Sequence, residues 1–116
     1  KGRHYRIGQG NNAFLFPGVG LGVWVGRISR VTDRMFLQAA RALAAKVEPQ
    51  DLATTSVYPD LRKIRECSHA VACAVIRCAV EEGMAEKEAL DRLEEKVAKA
   101  MWQPAYRPLR FEGPER

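Results

Sequence analysis

The sequence predicts a mainly α-helical chain, with about four helices and one short N-terminal strand. Three observations carry that reading. Apolar residues recur at three- and four-residue spacing through most of 13–102. Capping and stopping residues punctuate those stretches. A single β-prone run, residues 3–7, has no second run to pair with. With 116 residues the chain is one domain or part of one. The orphan strand, the very apolar first helix and an opening Lys1 in place of Met lead us to expect a chain that continues upstream. The expected layout is a strand and Gly/Asn loop over 1–12, a helical body over 13–102 and an extended tail over 103–116.

The elements follow in order. Arg3-His4-Tyr5-Arg6-Ile7 lies between Gly2 and Gly8 and reads as the strand. Gly8-Gln9-Gly10-Asn11-Asn12 is a loop by composition. A first helix is expected to begin near Asn12, whose side chain can cap free N–H groups, with Pro17 in its opening turns or marking a later start. Gly18, Gly22 and Gly26 share one face, so this helix can approach another backbone closely. Thr32-Asp33 starts the second helix, which carries Phe36, Ala39, Ala40, Leu43 and Val47 at helical spacing and ends before Pro49. Residues 50–60 read as a loop. A long helix over 61–82 buries Ile64, Cys67, Val71, Val75 and Cys78, and Gly83 stops it. A fourth helix over 86–102 places Leu90, Leu93, Val97 and Met101 on one face, with Glu88–Arg92 and Glu95–Lys99 pairs opposite. Three prolines extend the tail.

Composition excludes several classes. Hydrophobic residues make up 47% of the chain, which argues against general disorder. The longest apolar run, Ala13–Gly26, is shorter than the roughly 18 residues a membrane span needs. Lys and Arg outnumber Asp and Glu by 19 to 14, giving a net charge of +5. The basic residues are dispersed: Lys1, Arg3, His4 and Arg6 open the chain, and Arg107, Arg110 and Arg116 close it. That dispersal favours a solvated surface over a phosphate track, so no nucleic-acid partner is expected. Cys67, Cys73 and Cys78 fall in one helix. Cys67 and Cys78 are about 16 Å apart along its axis, too far to bridge. They read as core residues of a reducing, cytoplasmic protein, and without C-x-x-C or clustered histidines no metal site is expected.

Few residues invite chemistry. Gly8-Gln9-Gly10-Asn11-Asn12-Ala13 fits the G-x-G-x-x-G/A phosphate-binding pattern, and Asp33 stands where a ribose-binding acid would fall. The pattern requires a strand after the helix with the acid at its end, however, and Asp33 opens another helix. A tight turn explains the glycines equally well. Adjacent Asn11 and Asn12 at a helix start could present carboxamides to a carboxylate or amide ligand. From spacing alone, a helix cap plus a turn residue is the simpler account. His69 has no neighbouring nucleophile and reads as a hydrogen-bonded or solvated side chain. Glu81-Glu82 and Glu94-Glu95 read as solvated charges, Ser29, Ser56 and Ser68 lack a base, and Trp24 and Trp102 read as core or interface residues. No catalytic residue is assigned.

The stretch Gln9-Gly10-Asn11-Asn12-Ala13-Phe14-Leu15-Phe16-Pro17-Gly18-Val19-Gly20-Leu21-Gly22 resembles a signature of malic enzymes. The likeness continues through Val31-Thr32-Asp33-Arg34-Met35-Phe36, Asp51-Leu52-Ala53, Val57-Tyr58-Pro59 and Ile64-Arg65-Glu66. It closes at Trp102-Gln103-Pro104-Ala105-Tyr106-Arg107. Thr55 and Asp60 stand where members often carry Gly and a second Pro. The resemblance implies the C-terminal part of an α/β, Rossmann-like dinucleotide-binding domain. The implied parent is an oligomeric enzyme that converts malate to pyruvate by oxidative decarboxylation, with NAD or NADP and Mn or Mg. It implies that an asparagine of this segment, Asn11 or Asn12, presented by Gly10, positions substrate beside the nicotinamide, and the resemblance leaves open which of the two. The base, the acid and the metal ligands would lie outside this chain, which is therefore expected to be inactive and to bind no cofactor alone. Malolactic enzymes share the motif. A free-standing helical interaction module with basic ends is the alternative of another class.

Overall fold

In a computed structural model the described residues are 2–54, 56–109 and 113. They form five α-helices: α1 Phe16–Gly26, α2 Asp33–Ala44, α3 Pro49–Ala53, α4 Ile64–Glu81 and α5 Leu93–Ala100. Three 310 turns, Asn12–Phe14, Leu61–Lys63 and Lys87–Leu90, lead into α1, α4 and α5. The expectations on Lys1, Thr55, Arg110 and Arg116 lie outside the described residues.

Helix α4 is the axis of the core. Cys67, Val71, Ala72, Val75, Ile76 and Ala79 are buried on it, and α1 and α2 pack against it from two directions. From α2, Met35, Ala39 and Leu43 meet α4 at i, i+4 and i+8. From α1 the contact is glycine. A Cβ added at Gly18 would lie 2.7 Å from Val71 Cβ and 2.8 Å from the Ser68 carbonyl oxygen. At Gly22 it would lie 3.1 Å from the Ala72 carbonyl oxygen. The four-residue glycine spacing thus brings two backbones together, as the sequence implied.

The helix ends follow local chemistry. Thr32 caps α2, its Oγ1 accepting from the Met35 N–H at 3.3 Å and donating to Glu82 at 2.7 Å. Gly83, with φ +69°, ends α4: the Met84 N–H reaches the Ala79 carbonyl at 2.8 Å and the Gly83 N–H that of Val80 at 3.1 Å. The end of α1 repeats this pattern with Arg27 in the left-handed position, at φ 49°.

Three expectations are corrected and one open choice is decided. Residues 3–7 form no strand. Their one backbone bond among the described residues runs from the Arg6 N–H to the Thr54 carbonyl, at 3.0 Å, because no second extended segment lies alongside. Of the two starts left open for helix α1, the structure has the later one, at Phe16. Pro17 has no N–H to offer the Ala13 carbonyl, so the chain makes one 310 turn and restarts. Residues 50–60 contain α3, opened by Pro49 in its first turn. The single helix expected over 86–102 is broken: Asp91 is extended and Arg92 left-handed, at φ 48°. The Glu88–Arg92 pair is replaced by Arg92–Glu95, Lys96 Nζ takes up the Glu88 carbonyl, and Leu90 turns outward while Leu93 and Val97 stay buried.

Candidate functional site

The Asn11–Asn12 turn, the segment Val57–Tyr58 and the C-terminal half of α2 enclose a groove of about 360 Å³. Gly10, Asn11, Asn12 and Leu15 line it from one side, Ala40, Leu43 and Ala44 from α2, and Val57 and Tyr58 from the third. None of these side chains carries a charge.

The two asparagines are not equivalent. Asn11 is extended, with φ −134° and ψ 134°, and its Oδ1 accepts from the Ala13 N–H at 2.9 Å. Its carbonyl accepts from the Phe14 N–H at 3.0 Å. Asn11, not Asn12, is therefore the cap, and what it caps is a three-residue 310 turn. The Asn12 carboxamide makes no hydrogen bond among the described residues and is exposed on the same groove.

The glycine loop finds its explanation here. A Cβ at Gly8 would fall 2.6 Å from Ser56 Oγ, and one at Gly10 would fall 3.2 Å from Tyr58 Cε2. Gly8 and Gly10 thus make room for the segment Ser56–Tyr58, which crosses them closely. Ser56 is buried, and its hydroxyl donates to the Tyr58 carbonyl at 3.1 Å. The resemblance to a phosphate loop is accounted for by this packing, and neither a βαβ unit nor a ribose-binding strand follows. Asp33 sits in the first turn of α2. Among the described residues no three His, Cys, Asp or Glu side chains converge to hold a metal ion.

The other candidates disperse. His69 Nε2 donates to the Glu94 carbonyl at 2.9 Å, tying α4 to α5. Burial pushes the thiols of Cys67, Cys73 and Cys78 up, which keeps them protonated and unreactive. Glu81 and Glu94 pair with Arg34 and Arg77, and Glu82 holds Thr32. Ser29 and Ser68 face no base. Trp24 and Trp102 are exposed, contrary to a core position. Asp60 caps the turn at Leu61–Lys63 through the Arg62 N–H, 2.9 Å away. Its carboxyl is held well below the usual range by the Arg62 side chain and N–H and then by Arg6. Sequence reasoning missed Tyr58 as a groove residue. The one available signal was the alternate-residue spacing of Gly8 and Gly10, which calls for a close neighbour on one face.

Fold and site together define a helical subdomain that presents a carboxamide pair in a groove lined by uncharged side chains. The family model for the malic enzyme NAD-binding domain matches residues 1–80, and the chain belongs to that family. It is 42% identical over 106 residues to the NADP-dependent malic enzyme of Dictyostelium discoideum, covering 91% of this chain and 20% of that protein. It is 39% identical over 106 residues to the NAD-dependent malic enzyme of Aliivibrio fischeri (strain ATCC 700601 / ES114), covering 91% and 19%. It is also 39% identical over 109 residues to that of Pseudomonas syringae pv. syringae (strain B728a), covering 94% and 19%. The chain thus spans about one fifth of the length of the curated relatives it matches.

Proposed function

We propose that this chain works as part of a malic enzyme, an NAD- or NADP-dependent oxidoreductase that converts malate to pyruvate by oxidative decarboxylation. Its own contribution is orientation. The observation that carries the reading is the Asn12 carboxamide, exposed on the groove and without a hydrogen-bond partner among the described residues, beside an Asn11 whose NH2 is also open. Carboxamides carry no titrating proton near neutrality, so they supply hydrogen bonds and proximity and leave acid–base work to other parts of the enzyme. Residues 3–7, with one backbone hydrogen bond among the described residues, would complete the sheet of a dinucleotide-binding domain contributed by those parts. Three free, buried cysteines favour the cytoplasm, and we place the parent there as a homo-oligomer. Among the described residues no helix is long and apolar enough to cross a membrane.

The test is malate-dependent reduction of NAD or NADP, with manganese, by the full-length enzyme containing this segment. Asn12→Ala is expected to lower kcat/KM about a hundredfold, and Asn11→Ala less. Unchanged turnover in both variants refutes the site. Turnover by the 116-residue chain alone refutes the division of labour. Lactate in place of pyruvate as product assigns the parent to the malolactic enzymes.

A further inference from the structure

We propose that Tyr58 is the positioning residue of the Asn11–Asn12 turn, its ring bracketing the turn from both ends. This rests on the proposed function for its consequence in catalysis but not for its structural part. The ring stacks on Phe14 with centroids 6.1 Å apart and planes at 28°. Phe14 is wholly buried and is the last residue of the turn that Asn12 opens. The opposite end of the turn meets the other edge of the ring: a Cβ at Gly10 would lie 3.2 Å from Cε2, 3.3 Å from Cζ and 3.4 Å from the hydroxyl oxygen. One aromatic plane therefore touches the residue before Asn11 and the residue two after Asn12.

The backbone that carries the ring is itself held. The Tyr58 carbonyl accepts from buried Ser56, and buried Pro59 follows it. Asn11 has one side-chain bond, from the Ala13 N–H, and Asn12 none among the described residues, so a single side-chain bond is all the three-residue turn has, besides its backbone bonds, to hold its shape. Tyr58 supplies the missing restraint by packing and stacking. No hydrogen bond of its hydroxyl is needed for that, so phenylalanine should serve in its place. The closeness at Gly10 makes the arrangement specific: a methyl group there would press on the ring, which would have to give by a few tenths of an ångström.

The experiment follows the side-chain NH2 resonance of Asn11 and the backbone amides of Asn12 and Ala13 by NMR in the 116-residue chain, with the backbone amides of Val71 and Ile76 as reporters of the core. Tyr58→Ala should move the Asn11 side-chain resonance toward its free-asparagine position and shift the backbone amides of Asn12 and Ala13, while the core reporters stay in place. Tyr58→Phe should keep the native pattern. Gly10→Ala should shift it in the native background and add little in a Tyr58→Ala background, because the ring it presses on is already gone. In the full-length enzyme Tyr58→Ala should lower kcat/KM for malate about a hundredfold, with Tyr58→Phe near the native value. Should Tyr58→Ala disturb the core reporters, Tyr58→Leu keeps the volume and removes the stacking, and it is expected to release the turn alone. Native resonances for Asn11, Asn12 and Ala13 in both the alanine and leucine variants overturn the proposal. So does damage by phenylalanine equal to that by alanine, or a Gly10→Ala effect that is the same in both backgrounds. The resonances are read without malate. A turn ordered by Tyr58 whose asparagine variants leave turnover intact refutes the proposed function alone, and asparagines that govern turnover without Tyr58 refute this inference alone.

Discussion

Adding one methyl group at three positions of α1 should produce graded effects. Gly→Ala in a helix interior gains about 0.8–1 kcal/mol of intrinsic propensity. Against that stands whatever the new methyl meets. At Gly20 there is nothing within 4 Å, so Gly20→Ala should stabilise by about 0.8 kcal/mol. At Gly22 the nearest atom is the Ala72 carbonyl oxygen at 3.1 Å, a few tenths of an ångström inside comfortable contact, and the two effects should nearly cancel. At Gly18 the methyl would sit 2.7 Å from Val71 Cβ and 2.8 Å from the Ser68 backbone oxygen. Neither atom ends a flexible side chain, so α1 must move away from α4 by roughly an ångström to reach ordinary carbon contact. Overpacking of that kind costs about 1–3 kcal/mol, leaving Gly18→Ala between neutral and destabilising by about 2 kcal/mol. Urea denaturation followed by far-ultraviolet circular dichroism measures all three, with shifts in midpoint at constant slope. Equal stabilisation by Gly18→Ala and Gly20→Ala would refute the close approach of the two helices. Because α1 follows directly on the Asn11–Asn12 turn, the same displacement should also disturb the groove.

The remaining predictions concern caps and titrating groups. Arg27→Gly, which places glycine in a left-handed C-terminal position, should stabilise by about 0.5–1 kcal/mol in the same denaturation assay. Thr32→Ala removes the cap of α2 and its bond to Glu82, and should cost about 1 kcal/mol. Asp60, whose carboxyl is lowered by Arg62 and Arg6, contributes stability above its unfolded value that fades as pH falls below about 4; Asp60→Asn should flatten that acid limb. The three thiols, raised by burial, shift stability the other way: it is full below about pH 8.5 and declines at more alkaline pH as the unfolded chain ionises first. A thiol reagent should accordingly react slowly with native protein and fast in urea.

What the sequence showed and hid divides along a physical line. Features set by one residue against its own neighbours were legible: Thr32 as a cap, Gly83 as a stop, and the periodic faces of α2 and α4. The glycine face of α1 was legible as a demand for a close partner, although not which partner. Features decided by distant segments were not. Helix α3 is five residues with no apolar period of its own. The break at Asp91–Arg92 has neither glycine nor proline to announce it, and it accompanies the packing of Leu93 and Val97 on α4. The late start of α1 was readable from Pro17, which left two alternatives that only the chain's path could decide. The groove was half visible. Asn11 and Asn12 stood out by type, whereas Tyr58 reaches them across more than forty residues of chain.

The neutrality of the groove bears on how the asparagines can act. Malate carries two negative charges at neutral pH, and no residue lining the groove offers a positive one. An ion pair at 4 Å in a protein-like medium is worth about 4 kcal/mol. Two carboxamides, with hydrogen bonds to a charged group worth about 1.5–3 kcal/mol each, replace part of that and no more. Their advantage is direction. A lysine reaches a carboxylate from many angles, but a planar carboxamide on a turn held at both ends presents its donors along one line. A site built this way gains little affinity from the segment and much orientation, which is the contribution expected of a part that leaves charge and proton transfer to its neighbours. In the function proposed above the groove walls would add to this, since Leu43, Ala44 and Val57 line it with apolar surface.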